Sequence, residues 1–571
     1  MTLEGTSRLI RFTVPVLLGL GILVFLGLTW SVSLHKFYAI DEFQYGHAAW
    51  LVHRGQTPFV DFFDHHFPLI YQVFAPFFSI HGQAADYLFT MRLAMLLLIL
   101  VTLGSFFLIR PLNRERSAMW AAIFLLSCWP LISRMIEIRP DTLAIALVML
   151  ALGSLYPNYN PHFKGCLAGF LLTLGVWSSQ KVMVYGMPFV IAFAIDLVRY
   201  FRKERRLYLG NPFAFASGSI LAMLTFPLSI FLSSGFAAWY TWCIQWPMEH
   251  EKTVIGFSWL QYLTPLLIHY WWQIPLLGAG VFALVGQRRR EKEFFSHPDL
   301  LLLAMLPLTF LSYTMQKVPY TYSLIPFLVV WCLVCGLGTA FLGRMLGSLS
   351  LSRNLTLFLG AGGFVVLTAL IGFQVPFLRQ LAADDNTYQK EMLTLVSQIA
   401  GPDDPVYDNS ASTLIQPSVH FYYFTNAYIR KTQATRLAEE IPAAIWDKEC
   451  TLYFHDGRFN QLNPQLKQFL VDHFFPYRGE LWVFGKHFQT TNREQMFRAP
   501  REGRYFISPE SAREGIVLGG KPLEADIFTL EKGEHQLTLP ENHPSFYLLW
   551  LPADGKKFHP VPQEQPKFSR L

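Results

Sequence analysis

Over 571 residues the chain is 52% hydrophobic and only 15% charged, with a mean hydropathy of +0.30, where a soluble chain carries about a quarter charged residues. That composition excludes an ordinary water-soluble protein. The net charge of +6 is modest, and the basic residues fall between hydrophobic runs, which is the pattern of topology-setting loop charges and excludes a nucleic-acid partner.

Apolar runs approach the roughly 20 residues that a bilayer core requires. Spans are predicted at 12–32, 91–109, 117–133, 142–156, 165–179, 182–200, 212–233, 263–286, 298–314, 321–342 and 355–376, about eleven helices in all. The first run, 12–30, is too long for a signal-peptide core and lacks a clear small-x-small cleavage site, so a retained anchor is expected. The runs 142–156 and 165–179 are short for the core thickness and are expected to be tilted, extended or re-entrant.

With the N-terminus inside, the cytoplasmic loops hold Arg110, Arg114, Arg116, Lys164, Arg199, Arg202, Lys203, Arg205, Arg206, Arg288, Arg289, Arg290, Lys292, Arg344 and Arg353. The alternate loops are longer yet poorer in Lys and Arg, which places them outside by the positive-inside rule. An odd number of spans then puts everything after about residue 377 outside as well.

Beyond that point the character changes. Helices are predicted at 390–399 and 464–474 and strands at 405–408, 451–455 and 481–486, which makes a small external α/β domain over 381–488. From 489 to 571, strand-like runs at 503–507, 515–518, 526–530, 535–539 and 546–551 are split by Gly, Pro and charged turns and read as a β-sandwich-like module. The fold class is therefore mainly α, a polytopic helical membrane domain over 1–380 followed by these two external parts. The six cysteines form no framework. Cys332 and Cys335 make a CxxC inside an apolar run, where thiols behave as small hydrophobes.

The first outside loop, 33–90, is the most informative segment. It opens Ala39-Ile40-Asp41-Glu42-Phe43-Gln44-Tyr45 and continues through Arg54-Gly55-Gln56-Thr57-Pro58-Phe59-Val60-Asp61-Phe62-Phe63-Asp64-His65-His66-Phe67-Pro68. Paired carboxylates just past a membrane exit, followed by a second acidic and His cluster, are an unusual density of ionisable groups. A solvated loop with a helix N-cap at Asp41 is the plainer alternative. The second outside loop contains Glu137-Ile138-Arg139-Pro140-Asp141. Pro140 at the first helical position with an acidic first turn explains Asp141 structurally. It leaves Glu137 and Arg139 at membrane depth, where ionisable side chains are usually functional. Lys181 and Lys317 also sit at outside span ends. Each alone reads as a snorkelling anchor, and together they form an anion site on the side of the carboxylates.

Asp-Glu at the start of the first external loop, Gly-x-x-Pro-Phe-x-Asp, and His-x-Pro leading into the next helix resemble the GT-C glycosyltransferases. The likeness is closest to the family 39-like branch with protein O-mannosyltransferases and lipid A aminoarabinose transferases. Arg139-Pro140-Asp141 is similar to their second acidic motif. Gln316-Lys317-Val318-Pro319-Tyr320-Thr321-Tyr322-Ser323-Leu324-Ile325-Pro326 resembles their late external motif. The resemblance covers roughly residues 30–380, and this chain departs from it with His65-His66 where several relatives have Lys followed by prolines.

What the resemblance implies is transfer of a sugar from a polyprenyl-phosphate donor to a lipid, glycan or protein acceptor at the outer face, with inversion. In that scheme Asp41 is the base, assisted by Glu42 or Asp141. Arg139, Lys181 and Lys317 stabilise the leaving phosphate, with Tyr320 beside them. Asp61, Asp64, His65 and His66 either orient a sugar or hold a divalent metal ion, the one cofactor considered. The implied partners are the lipid-linked sugar, the acceptor and membrane lipids, and the implied location is a bacterial inner membrane with the C-terminal part periplasmic. A transporter or flippase of a lipid-linked substrate is the alternative. It calls for broken helices, midplane charges and often repeated halves, whereas the ionisable residues here gather at one interface and no repeat is visible.

Overall fold

A computed structural model describes residues 3–80, 82–109, 115–156, 159–202, 209–253, 258–290, 298–316, 320–348, 353–489, 492–561 and 566–568. Arg110, Arg114, Lys203, Arg205, Arg206, Lys292 and the late-motif residue Lys317 lie outside the described residues. The chain divides into two compact units. One comprises Met1–Phe37, His65–Val73 and Phe89–Asp385; the other comprises Tyr38–Asp64, Phe74–Leu88 and Asn386–Leu571.

The first unit is built of helices, and each of the eleven predicted runs is helical. Among the described residues six runs are long and apolar enough to cross a membrane: Thr13–His35, Ala84–Leu108, Val182–Phe201, Leu260–Gly286, Thr321–Ser348 and Phe358–Ile399. Two bent pairs bring the number to eight if each pair is one span: Arg116–Ser127 with Trp129–Met135 at 77°, and Pro212–Met223 with Phe226–Glu249 at 58°. The first bend follows from its sequence. Cys128 leaves the helical region (φ −76°, ψ 86°) and Pro130 opens the next helix, where its ring cannot continue the preceding turn. The remaining predicted runs are the helices Pro140–Ser154, Pro161–Ser178 and Asp299–Thr314. The first and last reach only about 22–24 Å at 1.5 Å per residue, below the roughly 30 Å of a hydrocarbon core.

Glycine lets helices in this unit touch backbone to backbone. A Cβ on Gly218 would lie 1.9 Å from the Cys166 carbonyl oxygen, and one on Gly338 1.8 Å from that of Leu276. Such close approach supplies packing where lipid offers no hydrophobic drive. Arg92 is fully buried in the apolar helix Ala84–Leu108. Its Nη1 donates to the Ser33 and Lys36 carbonyls (3.2 and 2.6 Å) and its Nη2 to that of Phe37 (3.1 Å). Ser33 is in the last turn of the first helix, Leu3–His35, whose final carbonyls lack intrahelical partners, and Lys36 and Phe37 follow its end.

The second unit holds the sheets: β1 (Val406–Asp408), β2 (Leu452–Phe454), β3 (Phe474–Arg478), β4 (Leu481–Phe488), β5 (Glu494–Ala499), β6 (Gly503–Ser508), β7 (Val517–Leu518), β8 (Lys521–Pro522), β9 (Ile527–Leu530), β10 (Gly533–Thr538) and β11 (Phe546–Trp550). One sheet runs β1-β2-β4-β11-β6-β9, with β3 paired to β4, and a second runs β5-β10-β7-β8. β1 and β2 are parallel, and the other pairs are antiparallel. The boundary expected at 488/489 is crossed by one continuous sheet, because β4 pairs with β2 on one edge and β11 on the other. Ring contacts of Phe497 on β5 with Phe484, Phe488 and Tyr505 join the second sheet to the first. Helices Thr387–Ile399, Ala427–Thr432, Ala434–Asp447 and Pro464–His473 also belong to the unit, as does the helix Ile40–His53 from the first loop.

Candidate active site

In the first unit the loop between Trp129–Met135 and Pro140–Ser154 carries Glu137 into a fully buried position. Its Oε1 accepts from Lys36 Nζ and from Arg134 Nη1 (2.8 Å), and its Oε2 accepts from Arg139 Nε (2.6 Å). Lys36 also donates to the Ser133 carbonyl at 2.9 Å. Burial alone would raise the Glu137 carboxyl, but Lys36, Arg139 and Arg134 together pull it well below the usual carboxylate range. It is a carboxylate at the centre of a cationic patch.

Arg139 takes the extended N-cap position of its helix (φ −144°, ψ 143°) with Pro140 following. Its guanidinium carbon lies 4.1 Å from the centre of the Tyr322 ring, and Lys181 Nζ lies 5.0 Å from the same ring, within cation–π range. Lys181 donates to both Asp141 oxygens (2.9 and 3.1 Å) and to Ser323 Oγ (3.2 Å). Ser323 in turn donates to Gln316 Oε1 (2.8 Å), and Ser179 Oγ donates to Asp141 at 3.3 Å. Tyr320 is 45% exposed and stacks on Tyr322, with centroids 5.4 Å apart and planes at 15°. Two cations thus flank one aromatic ring, each tied to its own carboxylate. Preoriented cations of this kind suit an anionic oxygen, phosphate above all.

Beside this network His65 and His66 pack ring to ring at 3.9 Å, and His65 lies 4.8 Å from the Trp246 ring. Gln180 Nε2 donates to the His65 carbonyl and Cys243 Sγ to that of His66 (3.1 and 3.4 Å). The consecutive residues Asp64, His65 and His66 offer ligand atoms within 4.8 Å of one another, a donor set that suits a divalent ion.

In the second unit Asp41 and Glu42 stand in the first turn of Ile40–His53. The N-cap is Ala39, not Asp41, and the fully buried Glu42 accepts the Ala39 N–H at 2.9 Å, the reciprocal half of a capping box. Asp41 is half-exposed, where burial beside the aromatic run was expected, because Phe62 and Phe63 pack instead on Tyr423, Phe421 and Tyr422. Asp61 is exposed, and its Oδ2 accepts the Thr57 N–H at 2.7 Å in a local turn. Asp64 is fully buried and accepts from Gln44 Nε2 (3.2 Å) and Tyr423 Oη (2.9 Å).

The candidate residues therefore fall into two groups. Arg139, Asp141, Lys181, Tyr320, His65 and His66 belong to the first unit, and Asp41, Glu42 and Asp61 to the second. Sequence reasoning missed Lys36, which reads as an anchor at a span end, and Tyr322 and Ser323, which stand in the late motif without a charge to single them out. It also passed over Gln44 and His47, since a polar residue in a loop raises no alarm.

No family model matches the chain, and no curated protein matches it. Among solved structures it is similar to ArnT from Cupriavidus metallidurans bound to undecaprenyl phosphate, at 13% identity and a TM-score of 0.56 over 82% of this chain and 97% of that one. The apo state of the same protein gives 10% identity and a TM-score of 0.53 over 84% and 98%. The archaeal oligosaccharyltransferase AglB from Archaeoglobus fulgidus, in complex with an inhibitory peptide and a dolichol-phosphate, gives 11%, 0.48, 83% and 74%. The chain thus shares its fold with ArnT over most of its length.

Proposed function

We propose that this protein is a GT-C glycosyltransferase that moves a sugar from a polyprenyl-phosphate donor to a lipid, glycan or protein acceptor on the outer face of a bacterial inner membrane, with its C-terminal part periplasmic. The observation that carries the reading is the cationic patch of Arg139 and Lys181 about Tyr322, on a fold shared with a protein solved with undecaprenyl phosphate bound. In the reaction an acceptor hydroxyl or amine attacks the anomeric carbon, its proton passes to Asp41, and the bond from that carbon to the phosphate oxygen breaks. The electron pair leaves on the lipid phosphate, where Arg139 and Lys181 offset the charge. Single displacement inverts the anomeric centre. Asp141 and Glu137 serve by orienting the two cations, Glu42 by fixing the first turn that carries Asp41, and Tyr320 by closing the aromatic side of the patch.

A divalent ion at Asp64, His65 and His66 belongs to the proposal as an aid to sugar binding, and chelation that leaves donor affinity unchanged would remove it. The reading as a whole is tested with purified protein in nanodiscs given a panel of undecaprenyl-phosphate-linked sugars and candidate acceptors. Release of free undecaprenyl phosphate that requires both Asp41 and Arg139 is expected. No release across the panel, or release indifferent to both residues, overturns it.

A further inference from the structure

The helix Ile40–His53 is buried from Glu42 through Leu51, yet the face it buries is not apolar throughout. Gln44 and His47 are 3% and 1% exposed, and buried polar groups persist only where partners satisfy them. Within the second unit Gln44 finds Asp64 20 residues on, while the partners of His47 lie 367 and 371 residues away. His47 Nδ1 is 2.8 Å from the Leu414 carbonyl and its Nε2 2.7 Å from Ser418 Oγ. Facing a carbonyl, Nδ1 carries a proton, and with burial favouring the neutral ring Nε2 is left to accept the Ser418 hydroxyl. Gln44 Nε2 and Tyr423 Oη converge on Asp64 Oδ2, and Tyr423 Oη also reaches the Gln44 carbonyl at 3.4 Å. Just ahead of the helix, Tyr38 exchanges both backbone hydrogen bonds with the side chain of Gln389 (2.7 and 3.0 Å). The same Gln389 Nε2 donates to the Phe568 carbonyl, and the Phe568 ring lies between Phe43 and Phe454 at 5.1 and 4.8 Å.

Apolar packing alone would let such a helix rotate or slide by a fraction of a turn at small loss. Directional bonds at both ring nitrogens of His47, and at one oxygen of Asp64, fix its rotation and its axial position together. Asp41 sits six residues before His47 on this helix, so its orientation is set by whatever fixes His47.

We propose that the C-terminal chain of the second unit, from Asn386 on, is a positioning element of the transfer reaction, holding the Asp41-bearing helix through a His47 clasp on Leu414 and Ser418 and a Gln44–Asp64–Tyr423 junction. The inference rests on the assignment of Asp41 under Proposed function. His47, Gln44 and Tyr423 are positioning residues, since they act through Asp41, and Phe568 near the chain end belongs to the same support. A misplacement of about 1 Å from changes away from the chemistry costs up to about a hundredfold in rate.

The test uses the full-length protein in nanodiscs. Tyr423→Phe and Ser418→Ala each remove one hydroxyl. His47→Asn keeps a donor for the Leu414 carbonyl, while His47→Leu keeps apolar volume and loses both bonds. Turnover of undecaprenyl-phosphate-linked sugars and amide hydrogen exchange over residues 40–53 are measured for each, with undecaprenyl phosphate binding as the control for intact protein. The expected result is faster exchange over 40–53, a fall in kcat of at least about tenfold with donor KM and lipid-phosphate binding unchanged, and His47→Asn outperforming His47→Leu. If the region matters only as packing, His47→Leu performs at least as well as His47→Asn, and the inference fails. An inactive Asp41→Asn beside fully active His47 and Tyr423 variants overturns the inference alone. A fully active Asp41→Asn overturns the functional reading and the inference with it.

Discussion

The two units hold the buried polar groups around their candidate residues by different physics. In the first, the groups are ions that neutralise one another: Glu137 among Lys36, Arg134 and Arg139, and Asp141 with Lys181. In the second, the bonds that fix the acidic helix centre on neutral donors: the amide of Gln44, the hydroxyls of Tyr423 and Ser418, and the imidazole of His47, whose pKa burial pulls down to about 4. An ionic network is intolerant of losing one member, because a buried charge without its partner is strongly destabilising. A network built on neutral donors gives way in smaller steps, about 1–3 kcal/mol each. In the proposed reaction the first unit thus supplies a fixed field that receives an anion. The second supplies aim, which small changes degrade gradually.

The sharpest contrast between field and aim comes from Asp41→Asn. Amide replacement keeps the shape of the side chain and removes the proton acceptor, so transfer should fall by about 10²–10⁴-fold while membrane insertion and undecaprenyl phosphate binding persist. Turnover and expression measured on the same preparation check it, and near-normal turnover would break the division of roles.

Next in size is the ionic centre. Glu137→Ala leaves Lys36, Arg134 and Arg139 facing one another and should destabilise the first unit by about 3–5 kcal/mol, read as a lower unfolding midpoint in denaturant. Because the folded-state pKa of Glu137 is depressed, its contribution is full above the ordinary carboxylate pKa and is lost only as pH falls through the much lower folded value. The wild-type protein should accordingly keep this contribution through mildly acidic conditions.

A smaller effect is expected where geometry changes and charge does not. Arg139→Lys retains the cation but not the planar Nε contact with Glu137. Donor KM should rise about tenfold, the size of one charge-assisted hydrogen bond, with little change in stability. An unchanged KM would move the phosphate away from Arg139.

Titration offers a finer test of the second unit. Asp408, at the end of β1, is pushed up to about 7 by burial and by the neighbouring Asp456, against bonds from the Ser410 and Thr413 amides. A raised carboxyl binds a proton in the folded state that the unfolded chain has released. Stability therefore falls as pH rises from about 4 to about 7. His47 works in the opposite sense, since its lowered pKa makes stability rise as pH climbs from about 4 to about 6.5. The pH dependence is best read by difference: the Tm of Asp408→Asn relative to wild type should become more favourable between pH 5 and pH 8. A flat difference would remove the buried-acid account. The smallest effect belongs to the surface pair Arg54–Asp403, whose side chains are 46% and 75% exposed. Arg54→Ala should change stability by less than about 1 kcal/mol, which sets the scale against which the clasp variants are judged.

Much of this molecule was legible along the chain. The eleven apolar runs are all helices, Pro140 opens its helix as its position demands, and the strands at 405–408, 451–455, 481–486 and 546–551 correspond to β1, β2, β4 and β11. The helix Ala434–Asp447 was missed because Pro442 lies inside it, and the strand β5 because its alternation is carried by charged and amide residues. Hydropathy and capping are properties of neighbours in sequence, so sequence alone settles where elements begin and end and which residues are charged near a membrane exit.

Partnership is different. Lys36 meets Glu137 across 101 residues, and His47 meets Leu414 across 367. Nothing local distinguishes a lysine that will neutralise a buried glutamate from one that will snorkel, or a histidine that will clasp a distant carbonyl from one in solvent. Only the tertiary structure decided that β4 belongs to both halves of one sheet, that Glu42 caps while Asp41 stays half-exposed, and that the acidic helix is built into the same unit as the C-terminal chain. The physical reason is that burial makes each polar group depend on the group that satisfies it, and that group is chosen by packing and not by distance along the chain.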